Sequence, residues 1–366
     1  MNATTLETPL WNSSDSTDAR PIILTFLDWT RDKDPRVPLA MASLMAALRE
    51  AEVPAKALSF PVNDQRFERQ QVFQTLSRLL AAHPGAALGF GVYVWSEASI
   101  QHLGRRLRWR FPHRPFVLGG PQISYSNSGL EKRYPFGSAF IRGYGEDALV
   151  RVLTSSLGTS IPGVQWAGPG LNPSDSTASV NLEKLPSPFL DGSIDLDGQQ
   201  FIRWETQRGC AFNCSFCQHR EAGRKLTDRN LNHGRLKEEI RLFAASSVSD
   251  IAVLDPIFNS NASTSNHIAI LKEFRRQGFG GKLSLQCRFE FVTEEFLQQV
   301  KHLNCTLEFG LQTIHRQEGK AVRRPNNMDA VDTVIDRLHE LGIHFEVSLI
   351  FGLPLQTLNS FRDSVA

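Results

Sequence analysis

The sequence predicts an α/β protein with two units, each organised around a parallel sheet. Short apolar runs of strand length alternate with helical patterns along most of the chain, as in parallel sheets that are covered by helices. The 366 residues are enough for two or more domains with separate cores. A stretch rich in Gly, Pro and Ser over residues 156–200 separates the two series of strands and helices.

The first unit is predicted over residues 21–155, after a disordered tail. Residues 1–20 are polar and rich in Ser and Thr, which predicts that tail. Apolar residues at helical spacing, such as Met41, Met45 and Leu48, indicate helices between the strands. This alternation indicates a doubly wound, Rossmann-like sheet with helices on both faces. The predicted strands are Ile22–Leu27, Ala55–Phe60, Ala87–Val94, Phe116–Leu118 and Ser138–Arg142.

The second unit is predicted over residues 201–366, after an extended linker at residues 156–200. The prolines within Leu185–Phe189 stiffen that linker. Five strand-and-helix units then follow, and Phe361 lies in the fifth helix. The predicted strands are Phe201–Gln207, Asp250–Leu254, Lys282–Arg288, Cys305–Leu311 and His344–Phe351.

Composition and charge exclude several classes of function. The chain has 40 basic and 38 acidic residues, a net charge of +2, so no nucleic-acid partner is indicated. The basic run Arg105–Arg110 has the spacing of a solvated helix face. Neither an apolar stretch near 18 residues nor an apolar signal core is present, so we expect a cytoplasmic protein without a membrane span. Hydrolysis through a Ser-His-Asp arrangement, a P-loop or an HExxH motif has no support.

Three of the five cysteines lie in one short segment, Arg208–Cys217. Cys210, Cys214 and Cys217 are separated by three and two residues, directly after a predicted strand. Three thiolates on one loop can bind three irons of a cubane cluster and leave the fourth iron open for chemistry. The alternative is a zinc site, for which His219 is the nearest fourth ligand. The remaining cysteines, Cys287 and Cys305, lie in apolar strands and are most simply core thiols.

The segment C-x3-C-x2-C, with aromatic Phe216 before its last cysteine, resembles the signature of radical S-adenosylmethionine (radical SAM) enzymes. The resemblance implies a [4Fe–4S] cluster held by the three cysteines, with SAM bound at its open iron. It also implies a partial (β/α) barrel of six units. Only five units can be counted here, so the barrel is predicted to be truncated after its fifth strand.

Further segments at the predicted strand ends match the same family in order. The resemblance implies that Asp255, in the segment Asp255–Asn259, lies where backbone groups contact the methionyl amine of SAM. It implies the SAM carboxylate for Arg288, although a plain salt bridge at a strand end explains Arg288 equally well. For Glu308 and Gln312 it implies contacts to the ribose, against the alternative that Glu308 occupies a surface strand position. Phe216 completes the predicted SAM residues, while His219 and Arg220 are given no role.

Residues 20–155 resemble the cobalamin-binding domain that precedes many radical SAM cores. Segments around Tyr93, the Gly119–Gly120 pair and Gly143–Glu146 occur in the same order as in that domain, and glycine allows backbone to approach a ligand. Ordinary tight turns are the alternative reading of the glycines. The loop Asp28–Pro38 has no His, so any cobalamin is expected to bind without a protein His on cobalt. The implied cobalamin-binding residues are Tyr93, Gly119, Gly120, Gly143, Gly145 and Glu146.

The resemblance implies a radical SAM enzyme that transfers a methyl group from SAM, through cobalamin, to an unactivated carbon of a small molecule or peptide. An electron donor such as flavodoxin or ferredoxin is implied as a partner. Two alternatives stay open at this point. One is cyclisation or rearrangement by the same radical chemistry, with or without cobalamin, and the other is a truncated, non-catalytic iron–sulfur protein.

Overall fold

The computed structural model divides into two compact units, the first ending at Asp195 and the second beginning at Leu196. The two units are described separately below. The structure describes residues 3–12, 18–126, 128–168, 176–217, 229–260 and 264–366.

The first unit contains a seven-stranded sheet with strand order β1-β3-β2-β4-β5-β6-β7. Its five central strands are parallel, and the two edge strands β1 and β7 are antiparallel to their neighbours. The strands are β1 (Thr4–Glu7), β2 (Ile22–Asp28), β3 (Ala55–Pro61), β4 (Ala87–Gly91), β5 (Phe116–Gly119), β6 (Ala139–Ile141) and β7 (Val164–Trp166).

Helices cover both faces of this sheet. On β2, Ile23 and Leu27 belong to one apolar cluster while Ile22, Leu24 and Phe26 belong to the other, because successive strand residues point to opposite faces. The first cluster includes residues of α2 and α3, and the second includes residues of α1 and α6. The predicted doubly wound class is therefore confirmed. The helices are α1 (Leu39–Glu50), α2 (Arg69–Ala82), α3 (Glu97–Arg110), α4 (Pro121–Ser124), α5 (Leu130–Arg133) and α6 (Glu146–Thr154).

The predicted disordered tail over residues 1–20 is wrong for Thr4–Asn12. Thr4–Glu7 pairs antiparallel with β3, and Trp11 is only 5% exposed and packs on the ring of His83. The open backbone edge of β3 offers hydrogen bonds that no local sequence signal reveals, and this outweighs the polar composition. Residues 13–17 of the predicted tail lie outside the described residues.

The predicted extended linker over residues 156–200 is also wrong in part. Val164–Trp166 adds an antiparallel strand to β6. Further on, Ala178 donates a backbone hydrogen bond to Arg142 and accepts one from Tyr144. These contacts satisfy the edge of the sheet, so this stretch packs onto the first unit rather than extending away from it.

The second unit contains a five-stranded, fully parallel sheet with strand order β12-β11-β10-β9-β8. All five predicted strands are present, and α10 is a short helix that the sequence did not predict. The strands are β8 (Phe201–Trp204), β9 (Asp250–Val253), β10 (Lys282–Cys287), β11 (Cys305–Gln312) and β12 (His344–Leu349). The helices are α7 (His233–Ala244), α8 (Thr264–Arg276), α9 (Glu294–Val300), α10 (Arg316–Ala321), α11 (Met328–Leu341) and α12 (Leu358–Val365).

Strand β11 shows how the sheet presents two different faces. Cys305, Leu307, Phe309 and Leu311 are buried, while the alternate residues of the strand are half-exposed. The half-exposed set includes Glu308, which therefore lies on the less covered face. Among the described residues, no helix combines the length and the apolar character needed to cross a membrane.

Candidate metal centre

The cysteine loop begins just beyond the carboxyl end of β8, where reacting groups lie in parallel α/β barrels. Its two arms are joined at the base, because Gln207 forms an antiparallel bridge with Asn230 and the Arg208 amide donates to the Arg229 carbonyl at 2.9 Å. Gly209 has φ +79°, a left-handed conformation that glycine adopts without strain. The loop therefore leaves the sheet from a fixed base.

A cavity of about 230 Å³ lies under the cysteine loop, at the carboxyl ends of the strands. Cys210, Cys214 and Cys217 line it together. Four of the five residues predicted to bind SAM line the same cavity, namely Phe216, Arg288, Glu308 and Gln312. The fold therefore brings together groups that are up to about a hundred residues apart in the sequence.

Cys214 is the most buried of the three loop thiols. It is 5% exposed, whereas Cys210 and Cys217 are half-buried. The Cys217 amide donates to the Cys214 carbonyl at 3.1 Å, and the Ser215 amide donates to the Val322 carbonyl at 2.9 Å. The middle of the loop is thus held both by its own turn and by a segment far along the chain.

The two metal hypotheses require different arrangements of the thiols. A zinc site brings four ligands to about 2.0–2.3 Å from one point. Within the described residues, no three His, Cys, Asp or Glu side chains converge in that way, although all three loop cysteines are described. A [4Fe–4S] cluster takes one thiolate at each of several corners and needs wider spacing. His219, the nearest fourth ligand of the zinc alternative, lies outside the described residues, together with Arg220.

Arg288 supplies a buried cation with one unused donor. The side chain is 5% exposed, its Nε donates to Glu290 at 3.0 Å, and its guanidinium lies 4.3 Å from the centre of the Phe212 ring. Its Nη1 is buried without a hydrogen-bond partner. A buried unpaired donor costs about 1–3 kcal/mol, more for a charged group. Since Arg288 lines the cavity, an anionic group bound there would satisfy Nη1.

The side chain of Asp255 does not line the cavity, in contrast to its neighbours Pro256 and Ile257. Asp255 is fully buried, and its carboxyl group accepts from the amides of Thr206 and Gln207 at 2.8 and 3.2 Å and from the Thr206 hydroxyl at 2.5 Å. Burial raises the pKa of Asp255 to about 7. The carboxyl group therefore ties β9 to the start of the cysteine loop, and only backbone near it can reach a ligand.

Two further buried side chains extend this connection across the sheet. Gln207 Nε2 donates to the Ile257 carbonyl at 2.5 Å. Asn259 donates to the Arg288 carbonyl and accepts from the Arg288 amide, both at 2.9 Å. The ends of β8, β9 and β10 are therefore linked by buried side-chain hydrogen bonds directly behind the cavity.

Glu308 and Gln312 mark the β11 side of the cavity. Burial raises the pKa of Glu308 above its usual range, and the carboxylate of Glu346 on β12 adds to the rise. Gln312 has φ +71° at an irregularity in the pairing of β11 with β12, which begins at Gly310. Glu308 therefore faces the cavity and does not occupy an ordinary surface position.

The residues predicted for cobalamin lie at the carboxyl ends of β4, β5 and β6 in the first unit. Gly120 and Gly143 have φ +99° and +95°, and a Cβ atom there would lie 2.8 Å from Val92 and 2.4 Å from Ala178 backbone oxygens. The backbone therefore explains these two glycines without a ligand. At Gly119 a Cβ atom would have no neighbour closer than 3.8 Å, so this position is open.

Glu146 and Gly145 lie at the start of α6. The carboxyl group of Glu146 is buried and accepts a hydrogen bond from Ser43 of α1 at 2.8 Å. This bond joins the two helices, so the Glu146 side chain has a structural contact whether or not a ligand binds near it. Gly145 has an ordinary helical-region backbone, with Leu44 as the nearest neighbour of an added Cβ atom at 3.3 Å.

Aromatic side chains are exposed at the same edge of the first sheet. Trp95 stacks on Tyr93 with ring centres 4.8 Å apart and donates its indole N–H to the Leu27 carbonyl at 3.0 Å. Burial raises the pKa of Tyr93 to about 12, so its hydroxyl stays protonated. Trp29, which follows β2, is 59% exposed, and Val94 is 73% exposed. This edge presents apolar surface that the first unit itself does not cover.

Sequence reasoning missed three residues of the centre: Phe212, Asn259 and Arg324. Arg324 Nη1 lies 3.7 Å from Cys214 Sγ across 110 positions of sequence. No local pattern marks Arg324, because it lies in a polar loop between two helices. Asn259 and Phe212 lie in segments that the sequence singled out, but nothing there distinguishes a supporting side chain from its neighbours.

Comparisons with known proteins identify the family that the second unit resembles. Residues 204–366 match the family described as the Radical SAM superfamily. The match confirms the radical SAM resemblance for these residues, and a [4Fe–4S] cluster and SAM are the cofactors of that family.

Two relatives cover most of the chain. The chain is 26% identical over 301 residues to the cobalamin-dependent radical SAM methyltransferase TokK from Streptomyces tokunonensis. The aligned region covers 76% of this chain and 44% of the relative. The chain is 26% identical over 304 residues, with the same shares, to 2-(S-pantetheinyl)-carbapenam-3-carboxylate methyltransferase from Streptantibioticus cattleyicolor. The chain thus spans less than half the length of these relatives.

A solved structure of the radical S-adenosylmethionine methyltransferase TsrM from Kitasatospora setae is also similar. It has a TM-score of 0.73 and 18% identity, and covers 95% of this chain and 70% of that one. At this level of identity the likeness shows the fold alone. It confirms the predicted fold class, a Rossmann-like sheet followed by a sheet of the radical SAM type.

Proposed function

Since residues 204–366 form a radical SAM domain, we propose that this protein is a cobalamin-dependent radical SAM methyltransferase. One observation carries the proposal: three thiols and a buried arginine, Arg288, whose Nη1 has no hydrogen-bond partner, line a single cavity at the carboxyl ends of the strands. The two relatives named as methyltransferases support the reaction type. The chain spans only part of their length, so activity, substrate and partners are proposed here.

In the second unit, Cys210, Cys214 and Cys217 would hold a [4Fe–4S] cluster, and Arg288 Nη1 would receive the carboxylate of SAM. A charge-assisted hydrogen bond in a buried site contributes about 1.5–3 kcal/mol. Glu308 and Gln312 offer polar groups to the ribose on the β11 side of the cavity. When bound, the cluster and SAM would supply a 5′-deoxyadenosyl radical, because one electron from a donor such as flavodoxin or ferredoxin cleaves SAM to that radical and methionine.

In the first unit, the apolar edge formed by Trp29, Val94 and Trp95 fits the face of a corrin ring. Tyr93 supports that edge by stacking under Trp95, and open Gly119 lets a ligand approach the backbone. The loop after β2 has Trp29 and no His, so we propose that cobalamin binds without a protein nitrogen on cobalt. The contribution of this unit is to hold the ring and exclude water from it.

Anaerobic reconstitution with iron, sulfide and cobalamin tests the proposal. We expect about four irons per chain, broad iron–sulfur absorption and retained cobalamin after gel filtration. With SAM and a low-potential one-electron donor such as flavodoxin, ferredoxin or dithionite, we expect S-adenosylhomocysteine and 5′-deoxyadenosine. A substrate, once found, should gain the mass of one methylene group.

Each alternative has its own result. If a cluster forms and 5′-deoxyadenosine is produced but cobalamin is not retained, the reaction would be cyclisation or rearrangement rather than methyl transfer, and the substrate would gain no mass. A cluster without any SAM cleavage would indicate a non-catalytic iron–sulfur protein. No uptake of iron at all would contradict the proposal as a whole.

A further inference from the structure

A short turn, Val322–Arg324, contacts the cysteine loop from a distant part of the chain. The turn follows α10 and is tight: the Arg324 amide donates to the Gly319 carbonyl at 2.8 Å, and Arg323 has φ +56°. A Cβ atom on Gly319 would lie 2.8 Å from the Arg324 carbonyl oxygen, so glycine is required there. The turn is therefore held in one conformation by its own backbone.

Two groups of this turn hold the middle of the cysteine loop. The Val322 carbonyl accepts from the Ser215 amide at 2.9 Å, which fixes the residue next to Cys214. Arg324 donates from Nε and Nη2 to the Gly310 carbonyl on β11, at 3.0 and 2.5 Å. These two hydrogen bonds orient the guanidinium so that Nη1 lies 3.7 Å from Cys214 Sγ.

Among the residues that the structure describes, no Asp or Glu forms an ion pair with Arg324, in contrast to Arg288, which pairs with Glu290. Arg324 is half-buried and lines the same cavity as the three thiols. The sulfur of Cys214, 3.7 Å from Nη1, lies within reach of this charge.

We propose that Arg324 is a positioning residue that fixes the Cys214 corner of the cluster and favours the reduced state of that cluster. The inference rests on the proposed function. Reduction of a [4Fe–4S] cluster adds one electron, from flavodoxin, ferredoxin or dithionite, and breaks no bond. The added negative charge is stabilised by a cation near a ligand sulfur, and hydrogen bonds to the sulfurs have the same effect. Arg324 supplies both the positive charge and the hydrogen bond at Cys214.

Arg324→Gln tests this inference, with Arg323→Gln as the matched control. Arg323 is the adjacent residue of the same turn, is exposed and has the same charge, so its loss changes net charge equally. The full chain would be reconstituted with the cluster and titrated with dithionite without SAM, with the reduced cluster followed by electron paramagnetic resonance. For Arg324→Gln we expect about a tenfold lower ratio of reduced to oxidised cluster at a fixed potential, a shift of about 59 mV for one electron.

Arg324→Lys separates charge from position. Lysine keeps the charge but loses the two-pronged bond to Gly310. We expect a midpoint potential close to that of the wild type, with faster loss of iron to a chelator. Should Arg324→Gln hold no iron, Arg324→Lys still carries the test, since a drop in its potential would show that charge is not the cause.

The inference fails if Arg324→Gln leaves the potential unchanged, or if Arg323→Gln lowers it equally. Both outcomes leave the proposed function intact, because the wild-type protein would still bind a cluster. A wild-type protein that takes up no cluster would instead contradict the proposed function. The two failures are therefore distinguishable.

Discussion

Two cysteines of the second unit, Cys214 and Cys305, are equally buried but have different surroundings. Cys214 Sγ has the guanidinium of Arg324 3.7 Å away and lines a cavity. Cys305 lies on the helix-covered side of β11, where burial raises the pKa of its thiol to about 12. A thiolate is the form that binds metal, so the raised pKa of Cys305 disfavours it as a ligand and agrees with a packed side chain, whereas Cys214 is the proposed ligand of the cluster.

Substitution of Cys214 should remove the cluster. For Cys214→Ala we expect loss of the iron–sulfur absorption and most of the iron, because one corner of the cluster has no ligand. Cys305→Ala is the matched control, also buried, and should keep the full iron content while losing about 1 kcal/mol of stability. Iron analysis after anaerobic reconstitution measures both, and a Cys214→Ala protein with wild-type iron would show the ligand assignment to be wrong.

Substitution of Arg288 should weaken binding of SAM more than it weakens the cluster. The unpaired Nη1 of Arg288 is expected to bind the carboxylate of SAM, an interaction of about 1.5–3 kcal/mol, or about 10–100-fold in affinity. Arg288→Gln should raise the dissociation constant of SAM by that factor in equilibrium dialysis of the reconstituted protein. Arg275→Gln, on the exposed side of α8, should leave it unchanged, and equal affinities in the two variants would contradict the assignment.

At the residue scale, the sequence located residues that line the cavity but not the residues that support them. Cys210, Cys214 and Cys217 are adjacent in sequence, so their spacing alone indicates a shared site. Arg324 reaches the same site only through the tertiary fold, and a local pattern cannot show that. Asp255 was predicted in the right segment, yet its side chain supports the loop from behind.

At the scale of elements, the carboxyl group of Asp255 joins two neighbouring strands. Asp255 follows β9, and its carboxyl group accepts hydrogen bonds from Thr206 and Gln207, which lie between β8 and the cysteine loop. Because burial raises the pKa of Asp255 to about 7 in the folded protein, against 3.8 as the ordinary value, the folded state keeps a proton that the unfolded chain releases.

This difference in pKa makes stability depend on pH. Between about pH 4 and pH 7 the folded state binds more protons, so the free energy of unfolding falls as pH rises, by at most about 1.4 kcal/mol per pH unit. Asp255→Asn keeps the shape of the side chain and one acceptor oxygen, has an amide N–H2 in place of the second oxygen, and does not titrate, so its profile should be flatter in this range. Urea unfolding at several pH values measures the difference, with exposed Asp332→Asn as the control. Parallel profiles for wild type and Asp255→Asn would contradict a raised pKa.

Helix α3 depends on one glycine for its contact with Phe136, which lies between α5 and β6. A Cβ atom on Gly104 would lie 2.3 Å from the ring of Phe136, which is 1% exposed. Gly104→Ala should therefore destabilise the protein by about 1–3 kcal/mol through overpacking, despite the better helix propensity of alanine. Gly280→Ala, where an added Cβ atom meets nothing within 4 Å, is the control in thermal unfolding. A stabilised Gly104→Ala protein would show that Phe136 can move aside.

Elements in which apolar residues recur regularly were predicted from the sequence. Strands that are fixed only by pairing with the edge of a sheet were not. The alternating apolar runs placed all strands of the parallel core. Strands β1 and β7 are short, and what fixes them is the free backbone edge of a distant strand. The predicted tail and linker failed there because hydrogen bonds to a sheet edge do not require an apolar sequence.

At the scale of the whole molecule, each unit has its own sheet and its own buried core. A ligand that binds only one folded unit stabilises that unit. Differential scanning calorimetry under anaerobic conditions should therefore show two transitions, of which cluster loading raises only one. Cys214→Ala should keep both transitions at their cluster-free positions. A single transition that moves as a whole would show that the two units unfold as one.

The first strand also affects how the protein can be handled in the laboratory. The polar composition of residues 1–20 suggests a tail that could be removed, yet Thr4–Glu7 covers the edge of β3 and Trp11 packs beside His83. A chain shortened to residue 21 would expose unpaired backbone together with apolar surface, the usual template for edge-to-edge aggregation. A shortened protein that precipitates would thus reflect a lost edge strand, and an affinity tag joined at residue 1 would lie beside part of the sheet.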